Sequence, residues 1–201
     1  MKMNEQIDIE ALKKDEQFLA DVKMLEEEVK NSDSVAKAYQ LLDVKLALQE
    51  DEEGINELFQ KIVNGAFTNI AKALESGKKF DISDAEDFAT MRGIYEYAMQ
   101  VYSENLKDQA QELFLALHHT TDDFELKDAF MVHAAAVGKD YTFEDFTNKL
   151  SKIDENVDLS DPKALFITDF VQPVDILLEM MKDEVEKLEK RLEKLKGEES
   201  D

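Results

Sequence analysis

The sequence predicts an all-α protein of antiparallel helical hairpins, about seven to nine helices, closed by a C-terminal amphipathic helix of coiled-coil type. Three observations carry this. Only two prolines and six glycines interrupt 201 residues, so long stretches contain no breaker. Leu, Ala, Glu and Lys are abundant, and no alternating β-branched stretch reads as a strand. Apolar residues make up 43% of the chain, enough to bury a core, and they recur at helical spacing.

The elements follow in order. Leu12, Leu19, Val22, Leu25 and Val29 share one face and predict a helix from about Asp8 to Lys30. Asn31 to Ser34 is a break, and Ser34 or Asp33 caps a second helix from Val35 to about Glu50. The acidic run Glu50 to Glu53 suits a helix start, and a third helical stretch runs from Ile55 to Ser76, closed by Gly77. Asn64-Gly65 either splits that stretch into a hairpin or sits within one long helix. Further helices are expected from about Ser83 to Glu104, Lys107 to His119, Phe124 to Val137 and Thr142 to Lys152. Asp154 to Pro162 reads as a loop, and a last helix runs from Pro173 to about Lys196. The resulting division is 1–80, an N-terminal helical region; 81–153, helical hairpins; 154–172, a loop and short helix; and 173–201, the C-terminal helix with an acidic tail.

Charge and cysteine content narrow the function classes. With 24 Lys+Arg against 47 Asp+Glu, the formal net charge is −23. A field of that sign repels phosphate backbones and anionic bilayers, which argues against nucleic-acid and membrane partners. The expected partner is a protein client offering an apolar or basic segment, although the acidity also serves plain solubility. The absence of cysteine removes disulfides, thiolate zinc sites and cysteine nucleophiles. Met1 to Asp8 carries no apolar h-region, and no apolar run approaches the ~18 residues of a span, so a cytoplasmic protein without membrane insertion is expected.

No enzyme site is legible. His118, His119 and His133 lack the spacing of helical metal sites, even with Asp122 and Asp123 close to His119. Asp154 to Ser160 alternates oxygen donors like a calcium loop, but Leu159 and Leu165 stand where such a loop needs glycine and glutamate. Phosphate-cradling glycine motifs and a nucleophile elbow are missing. The expectation is no catalytic residue, no metal and no cofactor.

The segment Ile94 to Leu117 is more specific. Ala98 and Ala110 are small residues that let two antiparallel helices approach, Asn105 falls in the turn, and Phe114 shares the face of Ala110. This spacing resembles a tetratricopeptide repeat, a ~34-residue helical hairpin. The pattern continues through Ala134-Ala135-Ala136 and the turn Gly138 to Tyr141, then degrades around Phe143-Glu144. The order Ile70 to Gly77, Asp81-Ile82-Ser83-Asp84, Ile94-Tyr95-Glu96-Tyr97-Ala98 resembles tetratricopeptide-class chaperones of type III secretion translocators, over roughly residues 66–150. The resemblance implies a concave face that holds an extended client peptide. It nominates Tyr95, Met99 and Tyr102 on one helix and Ala129, His133 and Ala136 on another. The same six side chains would also serve as filling between neighbouring helices.

Val174, Leu178, Met181, Val185, Leu188, Leu192 and Leu195 alternate spacings of four and three, a coiled-coil seam. Flanking charges oppose a parallel homodimer, since Glu184 would face Glu189 and Arg191 would face Lys196. Antiparallel packing is therefore expected, on the chain's own domain or as a homodimer. Three function classes follow: a helical-repeat module or chaperone holding an apolar segment, a coiled-coil adaptor or scaffold, and last a carboxylate-dependent metal protein or enzyme.

Overall fold

Short polar side chains set most helix starts. The computed structural model describes residues 9–153 and 161–198, with side chains as far as Glu193. The calcium-like stretch at 154–160, the Leu195 side chain and the end of the acidic tail lie outside that description. The chain opens with α1 (Ile9–Leu12), α2 (Glu16–Lys30), α3 (Val35–Ala47) and α4 (Glu52–Ser76), and continues with α5 (Ala85–Ser103), α6 (Lys107–Thr120) and α7 (Phe124–Gly138). Asp15, Ser34, Asp51, Asp84 and Asp123 are extended and accept backbone N–H bonds from the first turns of α2, α3, α4, α5 and α7. Gly77 closes α4 at φ 68, and Asn105 turns the chain between α5 and α6 at φ 62.

Among the described residues the fold is all-helical, with only isolated bridges in place of sheet. No described helix is long and apolar enough to cross a membrane. The structure departs from the predicted elements in three places and decides between two readings in a fourth. The first helix is interrupted, because the Asp15 carboxylate takes the N–H groups of Gln17 and Phe18 and starts α2 afresh. Asn64-Gly65 lies inside one unbroken α4. The helix after Thr142 lasts only from Phe143 to Asp145 (α8) and widens into a π-type turn, Phe146–Leu150. The final helix is two segments, α9 (Val174–Met180) and α10 (Lys182–Glu198), divided at Met181 with φ −106 and ψ 18.

One hydrophobic cluster runs from Val22 of α2 to Leu188 of α10. A half-buried polar knot ties its N-terminal part together. The Glu86 carboxylate, on the first turn of α5, accepts from Val35 N at 2.8 Å, Ala36 N at 3.1 Å and Ser34 Oγ at 2.7 Å. It therefore places an anion at the start of α3, where N–H groups lack helical partners. Asn69 of α4 donates to the same carboxylate at 3.2 Å.

Helices α6 and α7 are antiparallel, as two bonds show: Gln111 Nε2 to Ala134 O at 3.0 Å, and His118 Nδ1 to Lys127 O at 2.9 Å. Beyond Pro162 the chain follows α7 in the same direction as α7 itself. Lys163 pairs with Asp123 at 2.8 Å, Phe166 meets Phe130, Phe170 meets His133, and Asp183 pairs with Lys139 at 2.6 Å.

Candidate functional site

Helices α5 and α7 each present one face to the same space. On α5 that face carries Tyr95, Met99 and Tyr102, and on α7 it carries Ala129, His133 and Ala136, spaced four and three apart on a single stripe. Phe114 of α6 stands behind them, 4.8 Å from the His133 ring centroid and 6.1 Å from that of Tyr95. Of the six nominated residues, Tyr95, Tyr102 and His133 meet around Phe114, but not as an open surface. All except Met99 are buried, and Met99 is half-buried. Two later parts of the chain cover them.

The first cover is α8 with its π-type turn. Phe143 and Phe146 pack on Tyr102 at centroid separations of 5.7 and 5.9 Å, and the Tyr102 hydroxyl donates to Tyr141 O at 2.8 Å. The second is an extended strap, residues 166–170. Phe166 sits edge-on to Tyr95 at 5.2 Å and to Phe130 at 5.7 Å, while Phe170 packs on His133 at 5.9 Å and Phe146 at 6.4 Å. In an extended segment residues four apart lie on one face, so both rings point inward together.

Main-chain bonds fix the C-terminal end of the strap, a bond to a side-chain hydroxyl holds Ile167, and ion pairs hold the chain just before it. Lys152 N donates to Asp169 O at 2.9 Å and Val171 N to Leu150 O at 2.8 Å, framing an antiparallel bridge between Ser151 and Phe170. Ile167 N donates to the Tyr95 hydroxyl at 3.0 Å. At the N-terminal end Lys163 bridges Asp123 and Glu125, both at 2.8 Å, and these carboxylates hold its ammonium pKa well above the ordinary value.

The polar atoms of the cluster form one directed chain. His133 Nδ1 lies 2.7 Å from Ala129 O, which can only accept, so Nδ1 carries the proton. Nε2 then accepts from the Tyr95 hydroxyl at 3.1 Å, and that hydroxyl in turn accepts from Ile167 N. Burial pushes the His133 pKa down to about 4, so the ring is neutral at pH 7. Burial likewise raises the Tyr95 and Tyr102 phenols above their ordinary range. His118 donates to Lys127 O at the other end of the α6–α7 pair, and its pKa is lowered by burial. Among the described residues, no three His, Asp or Glu side chains gather as a metal site.

Sequence reasoning overlooked Phe130, Phe146, Phe166 and Phe170. The usable signal was the pair Phe166 and Phe170 within a stretch that has no helical periodicity.

The seam turns inward. Met181 and Leu188 are buried, and Val174, Leu178, Val185 and Leu192 pack against the common core. α9 packs on α7, and the chain leading through it runs in the direction of α7 and therefore opposite to α6. Glu184 is held by Lys187 at 2.7 Å, with Gln111 at 3.4 Å, and Arg191 pairs with Glu112 of α6. A Cβ on Gly138 would collide with the Glu184 carboxylate and the Gln111 amide, so a glycine there lets both side chains lie across the end of α7.

No family model matches this chain, and no curated protein or solved structure was found to be similar to it.

Proposed function

We propose that the chain is a protein-binding helical module that holds an extended apolar segment of a partner on the face shared by α5 and α7. One observation carries this reading: an extended segment, residues 166–170, already lies on that face, seated by two phenylalanines and a backbone bond to Tyr95. Aromatic rings offer wide apolar contact at low entropic cost, and a hydroxyl aimed at a main-chain N–H recognises an extended backbone whatever its side chains. The net charge of −23 keeps a complex with an apolar client in solution and favours clients with basic flanks.

In its finer form the module acts as a cytoplasmic chaperone, in the manner of the tetratricopeptide-class chaperones its hairpin resembles. The reading is of a binder and not an enzyme, since Tyr95 and His133 spend their polar atoms on each other and on the backbone. The burial of Met181 and Leu188 within one chain weighs against the rival reading of an adaptor working through its C-terminal seam.

The test is selection from a random peptide library against the purified chain, followed by amide-exchange mapping of the selected peptides. Selected peptides should be rich in aromatic residues and should alter exchange in α5 and α7. A library that yields no binder, or binders mapping only to α2–α4 or α10, would sink the reading.

A further inference from the structure

We propose that residues 166–170 are a resident occupant of this binding face, and that a partner enters by exchange, presenting an extended segment with two large aromatic side chains four residues apart. This rests on the function proposed above and adds how the site is regulated and what it selects.

The strap is built like a ligand. It contributes no helix, and its bonds to α5 and α7 are of a kind any extended peptide can make: one N–H to the Tyr95 hydroxyl, and two rings against Tyr95, Phe130 and His133. Its outward side chains, Asp169 and Val171, are exposed, while the main chain of both is bonded to Lys152 and Leu150. A cavity of about 280 Å³ lies beside the strap, with Lys152, Ile153, Lys163 and Thr168 in its lining.

Exchange follows from what release alone would uncover. Without an occupant, the inward faces of Tyr95, Phe130 and His133 meet water, together with both strap phenylalanines. An incoming segment must therefore replace the same apolar surface, which sets the requirement for two aromatics at the strap's spacing. Tethering holds the strap at an effective concentration on the order of millimolar, so weak ligands are excluded and only a well-matched segment competes.

The experiment uses a fluorescein-labelled peptide of residues 162–172 and fluorescence anisotropy. Two full-length variants are compared with the parent chain. In the first, Phe166→Ala with Phe170→Ala removes the anchors. In the second, Lys152→Cys with Asp169→Cys links residues that face each other across the bridge, in a chain with no other cysteine. The anchor variant should bind the peptide at least about tenfold more tightly than the parent, and a peptide with both phenylalanines changed to alanine should not bind. The oxidised cysteine variant should lose peptide binding, and reduction should restore it.

Equal binding by the oxidised and reduced forms overturns the inference while leaving the proposed function standing, because the peptide then sits elsewhere. Absence of binding by the reduced form and by a folded anchor variant overturns both. If the anchor variant fails to fold by circular dichroism, the oxidised and reduced comparison decides alone.

Discussion

The Tyr95 hydroxyl donates to His133 Nε2 across 3.1 Å, joining α5 to α7 inside a shell of phenylalanine rings. This bond requires a neutral imidazole, and burial keeps it neutral by lowering the His133 pKa to about 4.

That gives a pH dependence with a definite sign. In the unfolded chain histidine titrates near 6.5, so between pH 6.5 and 4 the unfolded state binds a proton that the native state refuses. The contribution is complete above about pH 6.5 and is lost as pH falls toward 4, to a total of about 3 kcal/mol. Many carboxylates also titrate in the lower part of this range, so the test is a difference. Urea unfolding of parent and His133→Gln should converge as pH drops from 7 to 4.5. Parallel pH profiles would contradict the assignment.

Tyr95→Phe leaves His133 Nε2 and Ile167 N without their shared partner. The expected loss is roughly 1–3 kcal/mol in denaturant unfolding. Tyr97→Phe provides the control. Its hydroxyl accepts a long, 3.4 Å bond from Gln109 at the surface, so its change should stay within about 0.5 kcal/mol.

Glu86→Ala removes the carboxylate that caps α3 from a distance. Stability should fall by roughly 1–3 kcal/mol, and the amides of Val35 and Ala36 should exchange faster than those in the middle of α3. Uniform acceleration along α3 would point to global loosening instead of a lost cap.

Leu188 is 1% exposed within a single chain. Leu188→Ala should therefore cost roughly 2–5 kcal/mol, with a melting temperature independent of protein concentration. A concentration-dependent melt would return the seam to a role between copies.

How much of this was legible depended on distance along the chain. Ser34, Asp84, Gly77 and Asn105 act within one turn of themselves, and their capping roles can be read from neighbours alone. The break at Met181 hides inside an unbroken heptad, because apolar spacing reports which face is buried and not whether the backbone is continuous. The face on α5 and α7 was nominated through the resemblance to a tetratricopeptide repeat and not by apolar spacing alone. Its covering was not, because the strap meets Tyr95 from 72 residues away and has no periodicity to mark it. Apolar spacing alone cannot distinguish a face covered by a partner from one covered by its own chain.

The strap also lies downstream of the face it covers, and chain order is time order during synthesis. Once Gly138 has emerged, α5, α6 and α7 can pack, while Phe166 and Phe170 are still to come. At roughly 5–20 residues per second the interval is a few seconds. For that time the nascent chain displays Tyr95, Phe130 and His133 with no segment of its own to cover them.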